Sequence, residues 1–191
     1  METMMPPDPL VAALDGYQPR TSSEAEDLRR VRDRIAAGGP WDRSTPLHVT
    51  ASALIVHRPT EQVLLRWHAR QQAWLQVGGH GDPGEDDPLA IALREGHEET
   101  GLDDLVAWPD RQVVHVVVVP VPASRREPAH EHADIRFVLA TEHPERARPE
   151  NPTALLRWAT IPEATTTTAE ANLRDTLERV EHLFRGTSWL A

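Results

Sequence analysis

The sequence predicts an α/β protein in which a mixed β-sheet carries helices on both of its faces. Short segments rich in β-branched residues alternate with longer amphipathic segments, in the order helix, strands, helix, strands, helix. That alternation is typical of layered α/β folds, in which each helix buries its apolar stripe against the sheet. A chain of 191 residues without an internal repeat has the usual length of one domain.

The first half of the chain is predicted to contain one helix and three strands. Residues 22–37 carry apolar side chains at helical spacing and are followed by a Gly-Gly-Pro stop. Residues 47–57 and 62–68 are rich in β-branched side chains and flank a turn, so they predict two strands. Residues 74–77 predict a third strand.

The second half is predicted mainly from glycine and proline signals. Residues 78–87 contain four glycines, a proline and four acids, which favours a loop. Pro88 fits the first turn of a helix that ends at Gly101. The remaining predictions are strands at residues 112–119, 133–141 and 154–159, loops at 120–132 and 142–152, and a final helix over 169–185. Thr165 to Thr168 indicate a polar linker or an extended helix cap.

Composition excludes several classes of function. A net charge of −10 would repel a nucleic-acid polymer, so no such partner is expected. The absence of cysteine excludes disulfides and thiolate metal sites. Neither a basic leader nor an apolar run of the roughly 18–20 residues that a membrane span needs is present. We expect a cytoplasmic protein with no membrane partner, in which residues 1–46 form a helical extension and residues 47–191 the main domain. The helix of the extension is a candidate contact for a homodimer.

One segment concentrates the negative charge of the chain. Residues 79–102 contain seven acids and one arginine, a local charge of −6. On a helix that turns 100° per residue, Glu95, Glu98 and Glu99 fall within an arc of roughly 100° and within about 6 Å along the axis. An all-oxygen ligand set favours a hard cation such as Mg²⁺ or Mn²⁺. For the spacing alone, a solvated acidic helix face is the alternative.

The surroundings of the three glutamates resemble the Nudix box, the motif of the Nudix hydrolase family. The box has the pattern G-x5-E-x7-R-E-U-x-E-E-x-G-U, in which U is a bulky apolar residue. Its fixed residues are matched by Gly79, Glu85, Arg94, Glu95, Glu98, Glu99 and Gly101. The resemblance is specific over 25 residues and extends more loosely over residues 47–160. It implies a Nudix-type α/β/α sandwich with a mixed β-sheet.

The resemblance also implies a metal site. Glu95, Glu98 and Glu99 would bind the Mg²⁺ or Mn²⁺ cofactor, and the backbone carbonyl of Gly78 or Gly79 would join them.

The catalytic residues implied by the resemblance are Glu85, Arg94, Glu98 and Glu99. Arg94 and Glu85 would hold the loop and the helix together through a charge-assisted contact. One of the carboxylates, or a residue from a neighbouring loop, would activate the attacking water.

The segment departs from the family pattern in two places. Eight residues instead of seven separate Glu85 from Arg94, which we interpret as one inserted loop residue, because loops absorb length at small entropic cost. Choosing Asp86 as the acid would restore the spacing but would place His80 on the glycine position. Gly96 stands where a bulky apolar residue is expected; it costs the helix about 1 kcal/mol relative to alanine, and we expect it to permit close packing against the sheet.

A second polar segment leads into a later strand. In an extended chain His130, His132, Asp134 and Arg136 project from the same side. The row is either a solvent-facing edge or a wall of the active site that binds a further metal, supplies a base or binds phosphate. A zinc site from two histidines and an aspartate is a further alternative, although no ligand pattern is complete here.

Four residues outside the acidic helix are candidates for substrate binding: Arg66, His80, His132 and Asp134. Arg66 has the side chain that suits a bidentate contact with phosphate, and His80 directly follows Gly79.

Together these features predict a divalent-metal-dependent hydrolase that cleaves a phosphoanhydride bond in a nucleoside diphosphate derivative or a related small diphosphate compound. Two alternatives stay open. A catalytically silent Nudix-like domain would sense a ligand, although all three glutamates are retained here. An isomerase of isopentenyl diphosphate shares the architecture, but its family chemistry uses a cysteine, which this chain lacks.

Overall fold

One mixed sheet of eight strands, counted over the described residues, forms the centre of the fold. The structure is a computed structural model that describes residues 7–125 and 127–186. Residues 1–6 of the predicted extension and residues 126 and 187–191 of the predicted main domain lie outside the described residues. The division of the chain between residues 46 and 47 stays a prediction.

The helices and strands follow one another along the chain in an alternating order. They are α1 (Pro9–Ala13), α2 (Ser22–Ala36), β1 (Leu47–His57), β2 (Gln62–His68), β3 (Ala73–Leu75), β4 (Val77–Gly79), α3 (Pro88–Thr100), β5 (Val106–Ala107), β6 (His115–Val121), β7 (His130–Ala140), β8 (Leu156–Thr160), α4 (Ile161–Thr167) and α5 (Ala171–Phe184). Among the described residues, no helix has both the length and the apolar character needed to cross a membrane.

The parallel pairing of β1 with β7 joins the two halves of the sheet. The paired residues run from Leu47 with Glu131 to Val56 with Ala140. Strands β2 and β4 lie antiparallel to β1, whereas β5 and β6 lie antiparallel to β7. Strands β3 and β8 extend the sheet beyond β2. One parallel pair among antiparallel neighbours gives the mixed sheet that the sequence predicts.

Helices cover both faces of this sheet. Because side chains alternate along a strand, Ala51, Ala53 and Ile55 of β1 join the core beneath α2 and α3. Leu54 and Val56 of the same strand join a second core beneath α4 and α5. The predicted α/β/α sandwich is therefore confirmed.

The chain between β2 and α3 differs from the prediction. The single strand predicted at residues 74–77 is wrong, because β3 pairs with β2 whereas β4 pairs with β1. Gly78, predicted to lie in a loop, belongs to β4 and has a φ of 147°. A Cβ atom there would lie 2.3 Å from the Cβ of Ser52, so only glycine allows β4 to approach β1 this closely.

The polar linker predicted at Thr165–Thr168 is wrong for its first three residues, which belong to α4. Their hydroxyl groups donate to the backbone carbonyls four residues earlier, so the polar run is satisfied inside the helix. Helices α1 and α4 are not predicted by the sequence pattern because each has seven residues or fewer. Strands β6 to β8 lie within three residues of their predicted bounds, and β7 begins at His130, inside a predicted loop.

A buried ion pair connects the N-terminal segment to the last helix. Arg179 of α5 donates hydrogen bonds of 2.9 and 2.8 Å to the two carboxylate oxygens of Glu24 in α2, and each side chain is 3% exposed. The hydroxyl of Tyr17 also donates to Glu24. Burial acts to raise the pKa of Glu24, but the hydrogen bonds from Arg179 and Tyr17 outweigh it and hold this pKa below its usual range. The homodimer contact predicted for α2 stays a prediction.

Replacing Glu24 by alanine is expected to lower the free energy of unfolding by about 3–5 kcal/mol, because Arg179 would keep its charge in a buried place without its partner. Glu26→Ala on the same helix is the matched control. Its ion pair with Arg29 is exposed and screened by water, so urea denaturation should detect little change. The difference between wild type and Glu24→Ala should shrink as the pH falls through the lowered pKa of Glu24. Equal destabilisation by the two variants would contradict a stabilising role for the buried pair.

Candidate active site

Helix α3 presents the predicted carboxylates between two well-defined ends. The side chain of Asp87 accepts hydrogen bonds from the backbone amides of Leu89 and Ala90, and Pro88 occupies the first turn. Gly101 ends the helix in the left-handed conformation, with a φ of 65°. These caps fix the register of the helix and therefore which residues face the sheet.

Gly96 brings α3 close to the core. A Cβ atom at this position would lie 2.9 Å from Cδ1 of Leu105 and 3.4 Å from Cδ1 of Leu139. The close packing predicted for Gly96 is confirmed, and it explains why a small residue stands where the family pattern has a bulky one.

Arg94 links the glycine-rich loop to the acidic face of α3. Its Nε and Nη2 atoms donate to the carboxylate of Glu85 at 3.0–3.2 Å, and Nη2 also donates to the backbone carbonyl of His80. Its Nη1 atom lies 3.0 Å from both Glu95 and Glu98. The predicted contact between Arg94 and Glu85 is confirmed. One guanidinium group thus positions the loop and neutralises part of the carboxylate cluster.

The two glycines of β4 lie directly against the carboxylates of α3. The amide of Gly78 donates to Glu99 at 3.1 Å. A Cβ atom at Gly79 would lie 2.7–2.9 Å from the carboxylate of Glu95. The strand therefore approaches the helix without a side chain between them, and only backbone atoms and carboxylates meet there.

Burial makes this cluster electrostatically costly. It raises the pKa of Glu95 and raises that of Glu99 to about 7, while Arg94 and Arg66 respectively oppose the rise. Repulsion from a neighbouring carboxylate adds to the rise in both cases. Oxygen donors that repel one another in a partly buried place fit a hard divalent cation, which would favour the charged form of each.

A cavity of about 240 Å³ opens beside this cluster. The predicted site residues in its wall are Arg66, Gly79, His80, Glu99, His132 and Asp134. The other four, Glu85, Arg94, Glu95 and Glu98, are not among the residues that line it and belong to α3 and its preceding loop. The structure therefore brings the predicted substrate-binding residues together at one end of the predicted metal site.

Arg66 forms an ion pair with Glu99, the least exposed of the three α3 carboxylates. Its Nη1 atom lies 3.3 Å from Glu99, and its Nη2 atom lies 3.1 Å from Glu150. Its Nε atom is buried and has no hydrogen-bond partner among the described residues. Arg66 lines the cavity, where its guanidinium group is available to a phosphate group.

The carboxylate of Asp134 accepts hydrogen bonds from four side chains. Thr50 donates to one carboxylate oxygen at 3.1 Å, and Ser52 and Arg136 donate to the other at 2.8 Å each. Gln76 approaches the same oxygen at 3.3 Å. With these partners Asp134 fixes the guanidinium of Arg136 in the cavity wall, and its predicted contact with substrate stays a prediction.

Four histidines form a compact group beside the cavity, which His80 and His132 line. The ring of His48 stacks near those of His80 and His130, with centroids 5.1 and 5.2 Å away, and the tilted ring of His132 lies 5.0 Å away. Burial, followed by repulsion from neighbouring histidines, lowers the pKa of His80 to about 3 and that of His132 to about 4. His48 was not predicted as a site residue, because its only signal in the sequence is a polar side chain at the start of an apolar strand.

Comparison with known proteins identifies relatives of this chain. The family model of the NUDIX domain matches residues 46–180. A protein of Lactococcus lactis subsp. cremoris named "Probable DHNTP pyrophosphohydrolase" is 33% identical over 119 residues, which cover 61% of this chain and 68% of that protein.

Solved structures share the fold at lower identity. A C. elegans Ap4A hydrolase in a binary complex has a TM-score of 0.58 and 18% identity, covering 72% of this chain and 98% of that chain. The E. coli dihydroneopterin triphosphate pyrophosphohydrolase has a TM-score of 0.53 and 21% identity, covering 69% of this chain and 92% of that chain. These likenesses confirm the predicted fold.

The two neighbouring glycines are expected to respond differently to alanine. Gly79→Ala would displace the carboxylate of Glu95, a flexible group, so it should weaken Mn²⁺ binding roughly 10- to 100-fold with little loss of stability. Gly78→Ala would clash with the backbone of Ser52 and Ala51 and should lower the melting temperature instead. Electron paramagnetic resonance titration of Mn²⁺ and thermal denaturation separate the two effects. Unchanged Mn²⁺ affinity in Gly79→Ala would contradict the proposed position of the metal.

Proposed function

This chain belongs to the NUDIX family, and on that premise we propose that it hydrolyses a phosphoanhydride bond in a nucleotide or a related small diphosphate compound, using Mg²⁺ or Mn²⁺. The observation that carries the proposal is the convergence of α3 carboxylates on Gly78 and Gly79 beside a cavity that contains Arg66.

The residues that would hold the cation are Glu95, Glu98, Glu99 and the backbone carbonyl of Gly79. All four offer oxygen, the donor that Mg²⁺ and Mn²⁺ prefer. When bound, a divalent ion supplies neutralisation of phosphate charge and a lower pKa for coordinated water. Glu98 is the most exposed of the three carboxylates, with 52% of its side chain accessible, whereas Glu99 is 13% exposed.

Other side chains of the protein position the loop and bind the substrate. Arg94 and Glu85 keep the loop against α3, so that the carboxylates hold a fixed arrangement before substrate binds. Arg66, which lines the cavity, would donate to a phosphate oxygen through its guanidinium group. His80 and His132 line the same cavity and would border the substrate, and Asp134 orients Arg136 there.

Hydrolysis requires one proton to leave the attacking water. The water oxygen forms a bond to phosphorus, the bridging P–O bond breaks, and the leaving phosphate keeps the bridging oxygen. We assign the accepting role to the pair Glu98 and Glu99. Glu98, whose side chain is 52% exposed, is the α3 carboxylate that solvent water reaches most readily.

Dihydroneopterin triphosphate is the first substrate to test. The 33% identical relative and one structural neighbour are both named for its hydrolysis, whereas another neighbour is named for hydrolysis of Ap4A. Because the relatives are named for different substrates, the panel should also include Ap4A, ADP-ribose and nucleoside triphosphates. A nucleic-acid polymer is not proposed, because the chain carries a net charge of −10.

Turnover of one panel member is expected to require Mg²⁺ or Mn²⁺ and to stop on addition of a chelator. In Glu98→Gln, kcat should fall roughly 10²- to 10⁴-fold, the usual contribution of a positioned acid or base. Phosphate release, with a coupled phosphatase where the products require one, gives the rates.

Glu61→Gln provides the control, because Glu61 is an exposed residue of the turn between β1 and β2. The activity of the Glu61→Gln variant should match that of wild type. Tight binding of a panel compound without any turnover would contradict hydrolysis and would favour the ligand-sensing alternative.

Arg66→Met should raise KM about 10- to 100-fold, since hydrogen bonds to a charged group contribute roughly 1.5–3 kcal/mol. Arg66→Lys keeps a positive charge beside Glu99 but loses the planar pair of donors, so it should recover only part of the loss. Steady-state kinetics on the substrate found above measure both variants. An unchanged KM in Arg66→Met would remove Arg66 from substrate binding.

A further inference from the structure

The four histidines beside the cavity come from three separate parts of the fold. His48 lies at the start of β1, His80 follows β4, and His130 and His132 lie on β7. The parallel register of β1 and β7 pairs His48 directly with His132. His48, His130 and His132 each offer a ring nitrogen, and these three atoms lie within 4.8 Å of one another. None of these residues belongs to the carboxylate cluster on α3.

Backbone carbonyls fix the orientation of two of the rings. The Nδ1 atom of His48 lies 3.1 Å from the carbonyl of Thr45, and the Nδ1 atom of His130 lies 2.9 Å from the carbonyl of Pro128. A carbonyl only accepts, so each Nδ1 must carry the hydrogen. In the neutral ring the Nε2 atom then keeps a lone pair, and both of these lone pairs point into the histidine group. This arrangement of ring and carbonyl is the usual support of a histidine that binds a metal.

The distances between the ring nitrogens suit binding to a common metal ion. Nε2 of His48 lies 3.1 Å from Nε2 of His80, and Nε2 of His130 lies 3.1 Å from Nε2 of His132. Four nitrogens bound to zinc at about 2.0–2.1 Å in a tetrahedron lie about 3.4 Å apart. Small shifts would bring the nitrogens of His48, His130 and His132, which already lie within 4.8 Å of one another, onto one ion. The ring of His80, whose Nε2 atom lies beside that of His48, would have to turn to supply the fourth nitrogen.

We propose that His48, His80, His130 and His132 bind one transition-metal ion of the zinc class at a site separate from the carboxylates of α3. Imidazole nitrogen is a preferred ligand of Zn²⁺, Co²⁺ and Ni²⁺, whereas Mg²⁺ and Mn²⁺ prefer oxygen. The two sites thus select different ions by donor type.

The proposed ion has a structural consequence for the neighbouring site. His80 directly follows Gly79, and its backbone carbonyl accepts a hydrogen bond from Arg94. Binding of His80 to an ion shared with β1 and β7 would fix the start of the glycine-rich loop from both sides. Because His80 and His132 also line the cavity, the ion would add positive charge to its wall.

The proposal is tested by metal binding and does not depend on hydrolysis. Chelator-treated protein is titrated with Co²⁺, and Zn²⁺ affinity is measured by competition with a chromogenic chelator. We expect one Co²⁺ ion per chain to give the intense visible absorption of a tetrahedral nitrogen site and to be displaced by Zn²⁺, whereas Co²⁺ at the α3 carboxylates would add only weak absorption. Weak absorption alone, typical of six oxygen ligands, or no binding, would overturn the proposal without any variant.

Variants then locate the ion. His130→Gln and His132→Gln should each lose more than roughly 100-fold in Zn²⁺ affinity, beyond what removal of a supporting partner costs. His143→Gln, which changes an exposed histidine outside the group, and Glu98→Gln, which changes the α3 cluster, should keep wild-type Zn²⁺ affinity. Loss in Glu98→Gln but not in His130→Gln would place the zinc on α3 and contradict the proposal. Thermal denaturation without metal checks that each variant folds. Zn²⁺ should raise the melting temperature of wild type and of the two control variants, but not that of His130→Gln or His132→Gln.

Discussion

The parallel pairing of β1 with β7 is the contact on which the arrangement of both cores and of the cavity depends. It joins strands 84 residues apart in sequence, and every pair in its register places two side chains next to each other on one face of the sheet. On one face, the pairs in the second half of β1 are apolar and build a core, as Leu54 with Val138 does. In the first half of β1, Thr50 pairs with Asp134 and Ser52 pairs with Arg136. The same register therefore packs the core and builds the polar wall of the cavity. A slip of one residue would exchange the two faces and destroy both.

Charge is the second constraint on the fold. The acidic face of α3 is expensive to bring near the sheet, and the protein reduces the cost with Arg94, Arg66 and the amide of Gly78. These groups compensate the carboxylates only in part, as the raised pKa of Glu99 indicates. The uncompensated burial of charge, followed by repulsion between the carboxylates, is the physical reason for expecting a cation there. A cluster that was fully neutralised by protein groups would be more stable but would have no affinity for a metal.

Much of this structure could be predicted from local signals in the sequence. The strands β1 and β2 and the helix α3 have the predicted bounds, because alternation, a proline and a glycine mark their ends. Arg94, Glu95, Glu98 and Glu99 were recognisable from their spacing along one helix, which fixes where their side chains lie relative to one another.

The features that could not be predicted from the sequence depend on contacts between distant segments of the chain. The break between β3 and β4 follows from pairing with two different strands, and the glycine that permits it has meaning only beside Ser52. The histidine group could not be predicted, because His48 and His132 become neighbours only through the parallel register. Glu24 gave no signal either, since its partner Arg179 is 155 residues away. Sequence spacing reports on one helix or strand, whereas these sites are made by pairing and packing.

If the carboxylates of α3 and the backbone of β4 form a site for a divalent cation that contacts diphosphate, the cation and the phosphate should be visible together. Anomalous diffraction from crystals soaked with Mn²⁺ and a non-hydrolysable methylene diphosphate analogue shows whether they are. We expect a manganese peak among Glu95, Glu98 and Glu99, with a phosphate oxygen of the analogue bound to the ion and Arg66 in contact with the phosphate. A bound analogue without manganese at these carboxylates, or manganese only at the histidines, would contradict the proposed cation site.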